Sequence, residues 1–162
     1  MLTSTGVIMT FREKMLWVSI VAETAIWGSY LFDVGSLLAR GTVNAEQAYG
    51  GFIQSVVLLV TVEVAAAIIL AIWAPADANA PEDARDRDFA ATAAVPAYTL
   101  LSMLVIAVMV ATPIIVTAAQ RWLTGDPKTI IAVVIGNALL LALVAAHVVN
   151  AGAQLWRYRR EG

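Results

Sequence analysis

"LLVTVEVAAAIIL", residues 58–70, is apolar on both sides of one acid, Glu63. It lies within an apolar run over 52–74, which is longer than the roughly 20 residues that a helix needs to cross about 30 Å of hydrocarbon. The run lacks the period-two alternation of a half-buried strand, and a helix satisfies all of its backbone hydrogen bonds internally in lipid. This stretch therefore predicts a transmembrane helix that carries a carboxyl group near its middle.

Three further apolar runs of spanning length lie over 15–39, 94–119 and 129–155. Composition agrees, since 60% of the residues are hydrophobic and only 14% are charged, against about a quarter charged in soluble domains. We predict an all-α polytopic membrane protein in which residues 1–162 form a single transmembrane domain. Because short loops make sequential helices antiparallel neighbours, a four-helix up-down bundle is the expected packing. Ala138, Ala142 and Ala146 form a strip of small residues that favours close contact along the last helix.

Lysine and arginine are distributed unevenly between the two sides of the predicted bundle. Seven flank the side that holds both termini and the loop over 75–93, and three flank the other side. The positive-inside rule therefore predicts that both termini are cytoplasmic. Tryptophan and tyrosine favour the headgroup level, and they mark the same boundaries. The basic residues are Arg12, Lys14, Arg85, Arg87, Arg157, Arg159 and Arg160 on the cytoplasmic side and Arg40, Arg121 and Lys128 outside; the aromatic markers are Trp17, Trp73 and Trp156 inside and Tyr49, Phe52 and Trp122 outside.

Charge and residue usage argue against several functions. The net charge of -2 provides no basic surface, so direct nucleic-acid binding is disfavoured. The chain has no cysteine, which removes disulfides, thiolate chemistry and Cys-ligated metals. It has no GxSxG, HExxH or glycine-rich phosphate motif, and its one histidine, His147, could supply both axial ligands of a haem only from two subunits. We therefore expect no catalytic activity and no cofactor.

The loop over 75–93 contains the one charge-dense segment, "PADANAPEDARDRDFA" at 75–90. Asn79 or Ala80 is expected to cap a helix that has Pro81 at its first position, where proline is favoured. That helix would continue into the third span. Pro96 lies inside it and predicts a kink near Thr92, because proline removes a backbone hydrogen bond and crowds the preceding turn.

Asp83, Arg85 and Asp86 carry a resemblance to a known group of proteins. The segment "DARDRDF" resembles a box of the form Asp-Glu-Arg-Asp with an apolar residue three positions later, although Ala84 replaces the glutamate and Phe89 the usual aliphatic residue. The box marks small four-helix membrane proteins of unknown function in bacteria and archaea. The resemblance implies an integral protein of the cytoplasmic (inner) membrane, sometimes encoded with helix-turn-helix regulators, and hence a partner-binding role.

Two interpretations of this box stay open. In one, its charges form a solvated helix start and fix the topology. In the other, Asp83, Arg85, Asp86 and Arg87 form a docking site for a cytoplasmic protein or for a second copy of the chain. A metal site made by its aspartates is disfavoured, because hard cations prefer a loop with a glycine turn and regularly spaced oxygens.

Three ionisable residues occupy similar depths inside the predicted spans. Glu63 lies roughly 18 Å from the cytoplasmic end of its helix, and Glu23 and His147 lie about 13 Å from the same side, at 1.5 Å per residue. Asn150 shares a helix face with His147. Charged groups at this depth are costly in lipid, so we expect these side chains to point into the bundle, to pair, or to become neutral. They form either structural hydrogen bonds between helices or a site for protons, a cation or a cationic ligand.

These observations support two hypotheses about function. The leading one is a small membrane regulator or interaction protein, non-enzymatic and homo-oligomeric, whose cytoplasmic loop docks a partner. The alternative is a proton- or cation-coupled transporter or channel that uses the intramembrane carboxylates. Four helices are few for an ion path, so this alternative requires a dimer.

Overall fold

The computed structural model describes residues 9–81, 83–121 and 125–161. Within these ranges the chain forms five helices and no strand. The helices are α1 (Phe11–Ala39), α2 (Ala45–Trp73), α3 (Pro75–Ala78), α4 (Ala84–Arg121) and α5 (Pro127–Glu161). All but the short α3 are long and apolar enough to cross a membrane, with a mean hydropathy of 1.3 to 2.7 in their most apolar parts. The prediction of an all-helical chain with four helices that could span a membrane is confirmed.

The helices begin earlier than the apolar runs because polar residues cap them outside the hydrophobic segments. Thr10 and Glu13 form a capping box at α1, in which the Glu13 amide donates to the Thr10 hydroxyl (3.2 Å) and the Thr10 amide donates to the Glu13 carboxylate (2.8 Å). Asn44 caps α2 through a single bond, in which its Oδ1 atom accepts from the Gln47 amide (2.8 Å). Asp126 accepts hydrogen bonds from the hydroxyl and the amide of Thr129 at the start of α5, and these bonds lower the pKa of Asp126.

The predicted start of the helix before the third span is wrong. Asn79 ends α3 instead of capping the next helix, and Pro81 lies outside any helix. Asp83 is the cap, because its carboxylate accepts the Asp86 amide (2.7 Å), and α4 begins at Ala84. An aspartate that accepts an amide three residues later stabilises a helix start more directly than a proline that only tolerates the position.

At the other end of α1, the chain turns sharply at Gly41. The amide of Gly41 donates to the Leu38 carbonyl (3.1 Å), and that of Thr42 donates to the Leu37 carbonyl (3.0 Å). This is the Schellman arrangement, which satisfies carbonyls that have no partner further along the helix. Gly41 has a φ of 67°, a conformation that glycine adopts without steric cost.

Helices α1 and α5 form the centre of the protein. α2 packs mainly on α1, and α4 packs on α5, which gives the order α2, α1, α5, α4 across the molecule. Among the described residues, no Cα atom of α4 lies within 8 Å of one in α1 or α2. The prediction that all sequential helices are neighbours is therefore wrong for α2 and α4.

The connection between α2 and α4 explains this order. α3 lies against the beginning of α1, where the Asp77 carboxylate accepts a hydrogen bond from the Phe11 amide. This amide is one of the donors that a helix leaves without a backbone partner at its start, and an acid is favoured there by the helix dipole. The chain thus crosses the beginning of α1 before α4 starts. As a result, α4 packs on α5 and not on α2.

The inward face of α1 carries the larger side chains of the core. Trp27, Tyr30 and Val34 are buried against α2 and α5. The Trp27 ring stacks on Phe52 with 5.6 Å between ring centres, and the Tyr30 hydroxyl donates to the Ala48 carbonyl (3.3 Å). α4 and α5 pack on each other, and small residues are buried on both helices. They are Ala93 and Ala97 of α4 and Ala142 and Ala146 of α5; the last two belong to the predicted alanine strip, whose third member, Ala138, is half-buried.

The starts of α1 and α4 and the end of α5 meet at one end of the molecule, called here the termini end. Trp17 and Trp156 lie near this end, where Arg159 and Arg160 stand over their respective rings at 5.4 and 4.6 Å from the ring centres. Of the aromatic residues predicted at the other boundary, Tyr49 is exposed. Trp122 lies outside the described residues.

Candidate functional site

Glu23 of α1 and His147 of α5 meet across the central helix pair. The Nδ1 atom of His147 lies 2.6 Å from Oε1 of Glu23. The glutamate side chain is 13% exposed and the histidine side chain 46% exposed. Glu23 lies one turn before the buried Trp27, on the inward face of α1, and the packing of α1 on α5 brings it to His147.

A separation of 2.6 Å between these two atoms requires a hydrogen atom on one of them, because two bare acceptors would repel each other. If Nδ1–H donates to an ionised Glu23, the pair has a net charge of minus one when His147 is neutral. Protonation at Nε2 makes the imidazole cationic and the pair neutral. The site can therefore change its charge by one proton while the contact between the helices is kept.

Glu63 is linked to α1 through Ser19. The Ser19 hydroxyl donates to Oε1 of Glu63 at 3.0 Å, and Glu63 is half-buried. Ser19 lies one turn before Glu23 on the same face of α1. The carboxyl groups of α1 and α2 thus belong to one polar layer that α1 shares with both of its neighbours. Ser19 is absent from the predicted site residues, although its spacing of four from Glu23 is visible in the sequence.

Asn150 lies one turn from His147 on α5, but no hydrogen bond joins the two in the described residues. The Oδ1 atom of Asn150 and the Oε2 atom of Glu23 are buried, and neither accepts a hydrogen bond there. Buried acceptors are nearly always satisfied by protein or by ordered water. Of the four predicted intramembrane residues, the structure brings Glu23 and His147 into contact, connects Glu63 to their layer through Ser19, and leaves Asn150 beside it.

The predicted docking residues have internal contacts at the termini end. Asp86 accepts a hydrogen bond from the Tyr158 hydroxyl and pairs with Arg12, whose Nε atom lies 3.3 Å from Oδ2. Asp83 is occupied as the helix cap described above. The Arg87 side chain is exposed, and its Nε atom reaches back to the Asp83 carbonyl at 3.4 Å. These charges connect α4 to α1 and α5 as well as facing solvent.

Phe89 lies at the centre of these contacts and is 1% exposed. The guanidinium groups of Arg85 and Arg157 each lie 5.1 Å from its ring centre, and the Tyr158 ring meets it edge-on at 5.0 Å. Arg157 also pairs with Asp88 at 3.0 Å. In the sequence Phe89 stands out only as a variation on the box, whereas in the structure it is the main apolar contact between α4 and the end of α5.

The structure thus contains two groups of polar residues, one within the spans and one at the termini end. Among the described residues, no three histidine, aspartate or glutamate side chains are grouped as metal ligands would be. Comparisons of the chain with models of protein families, with curated proteins and with solved structures found no match.

Proposed function

We propose that this protein takes up and releases protons inside the membrane, as a small proton- or cation-coupled transporter or channel. Glu23, His147 and Glu63 are the groups that hold the proton. The observation that carries the proposal is the 2.6 Å contact between Glu23 and His147 in the middle of two membrane-spanning helices. Ionisable groups at such positions are costly in lipid and are typical of proton relays and ion pathways.

The pair has the chemistry that a proton carrier needs. A proton that arrives at Nε2 of His147 changes the pair from an anion to a neutral ion pair, which costs less in a medium of low dielectric. Glu63 is a second carboxyl group in the same layer, and the Ser19 hydroxyl that it binds can both donate and accept. In this proposal, a proton passes between Glu63 and the Glu23–His147 pair within this layer.

The surroundings of the site favour a homodimer. His147 is 46% exposed, although it lies at a depth where lipid would leave its second nitrogen without a partner. A second copy packed on this face of α5 would cover the imidazole and complete the wall of a path. In this proposal the protein is not an enzyme, needs no cofactor, lies in a bacterial or archaeal cytoplasmic membrane and has cytoplasmic termini.

We expect purified protein in vesicles that contain a pH-sensitive dye to dissipate a proton gradient, and Glu63→Gln to slow this by roughly tenfold or more, because it removes a titratable group from the relay. Glu46→Gln is the matched control, since Glu46 lies in the first turn of α2, outside the apolar part of the span, and is exposed. Equal rates in empty vesicles, the parent protein and Glu63→Gln would refute transport.

A second candidate function is a regulator or interaction protein that docks a partner through Asp83, Arg85, Asp86 and Arg87. This candidate is supported by the exposure of Asp83, Arg85 and Arg87. Asp83 and Arg85 also line a cavity of about 390 Å³. The resemblance of the box to proteins encoded with regulators points in the same direction.

This candidate predicts that Arg87→Glu loses a partner in pull-downs from membranes, since charge reversal at a rim residue repels a complementary surface. Asp86→Asn is unsuitable for the test, because Asp86 holds Arg12 and Tyr158. Arg160→Glu is the matched control, because it makes the same charge change at another position of the termini end. Identical partner profiles for the parent and Arg87→Glu would refute docking through the box.

A further inference from the structure

Two cavities at the termini end adjoin each other. The outer one, of about 390 Å³, opens beside the start of α4, and the inner one, of about 260 Å³, lies between α1, α4 and α5. Arg12, Asp86 and Tyr158 line both. From these shared residues the inner cavity follows α1 as far as Ser19 and includes Gln154 of α5.

The inner cavity ends at the intramembrane site, because Ser19 donates to Glu63 and lies one turn from Glu23. On the opposite wall, Gln154, Asn150 and His147 follow one another at turn spacing along α5. Polar side chains on two facing helices therefore continue from the cavity to the proton-binding pair.

Two atoms near the inner end suggest what fills this path. Oδ1 of Asn150 and Oε2 of Glu23 are buried acceptors with no donor among the described residues. Each cavity exceeds by far the roughly 30 Å³ that one water occupies in the liquid. Water molecules that enter from the inner cavity are the available donors for both acceptors.

We infer that the two cavities form a hydrated entry path, through which protons from the termini end reach Ser19, Glu63 and the Glu23–His147 pair. The inference takes the identity of the ion, a proton, from the proposed function, whereas the existence of a hydrated path does not depend on that function. A proton suits the part that the two cavities share better than a metal ion, because the one carboxylate there, Asp86, accepts from Tyr158 through Oδ1 and pairs with Arg12 through Oδ2. The Tyr158 hydroxyl and water can pass a proton along at this point.

Thiol labelling tests the path directly, since the protein has no cysteine of its own. Ser19→Cys is compared with Val18→Cys, its neighbour in sequence. Val18 lies on another face of α1, in an apolar cleft with Val21 and Val62. A membrane-impermeant thiosulfonate reacts only with a hydrated thiolate, so we expect Ser19→Cys to react roughly tenfold faster or more, although Ser19 lies deeper than Val18.

Sidedness is measured in sealed vesicles of both orientations, with Ala80→Cys as reference for the termini end and Glu46→Cys for the opposite end. We expect Ser19→Cys to be labelled from the same side as Ala80→Cys. Because Ala90 lines the inner cavity and Ala91 is exposed, Ala90→Leu should block the labelling and Ala91→Leu should not.

The result separates the path from the transport function. If Ser19→Cys reacts as slowly as Val18→Cys, or only from the side of Glu46→Cys, the path is refuted, whatever the proton flux. If Ser19→Cys reacts rapidly from the termini end and Ala90→Leu prevents it, the path is supported. The absence of proton flux in the parent protein would then refute the proposed function alone.

Discussion

Replacing Phe89 with alanine is expected to lower the free energy of unfolding by about 3 to 5 kcal/mol, the cost of emptying a fully buried aromatic site. The side chain is 1% exposed and contacts Tyr158 edge-on, with two arginines against its ring. Its loss leaves a cavity between the start of α4 and the end of α5. Unfolding by a denaturing detergent, followed by circular dichroism, measures the change.

The location of Phe89 makes the expected defect local as well. Among the described helices, the backbone of α4 is close to that of α5 alone, and a side-chain pair, Asp86 with Arg12, links α4 to α1. The weakened contact should therefore raise hydrogen exchange over residues 84–97 more than in α1 or α2. Phe32→Ala is the control, because Phe32 is 76% exposed and its truncation removes little packing within the protein. A stability loss for Phe89→Ala no larger than that for Phe32→Ala would contradict the assigned packing.

The Glu23–His147 pair is expected to show unequal single-mutant effects and a rescued double mutant. His147→Leu removes the hydrogen-bond partner of a glutamate that is 13% exposed, and this should cost about 2 kcal/mol. Glu23→Leu leaves a histidine that is 46% exposed, and we expect a smaller cost of about 1 kcal/mol. The variant with both substitutions has no unpaired ionisable group at this position, so its stability should lie about 1.3 kcal/mol below that of the parent, a smaller loss than in His147→Leu alone.

The double-mutant cycle isolates the interaction between these two side chains. Polar pairs between membrane helices give coupling energies up to about 1.7 kcal/mol, and this pair should lie near that upper limit because its contact is short. Asn150→Leu with Glu23→Leu is the matched cycle, because no hydrogen bond joins those residues. Additive effects in the Glu23–His147 cycle would show that the two side chains do not pair in the membrane.

Long apolar runs made the four spans predictable. A run such as residues 58–70 has few alternatives to a spanning helix, because lipid offers the backbone no hydrogen bonds. The starts were less predictable, since α1 and α4 extend beyond the hydrophobic segments to caps at Thr10 and Asp83. Just before the box, Pro81 suggested a helix start, but Asp83 caps the helix instead.

The order of the helices could not be read from the sequence. A helix face that meets another helix and one that meets lipid are both apolar, so composition does not distinguish α2 from α5 as the neighbour of α4. The need to shelter Glu23 and His147 was predictable from their depth. Their pairing was not, because it depends on the packing of α1 against α5, which the chain does not connect directly.

The central position of α1 and α5 has a consequence for how the protein is made. His147 is synthesised 124 residues after Glu23 (147 minus 23), so α1 must enter the bilayer before its partner exists. α1 also has the lowest hydropathy of the four spans, 1.3, and an unpaired acid near a helix centre costs about 3 kcal/mol of insertion free energy. The first span is therefore weakly anchored during translation, and arrival of the last span secures it.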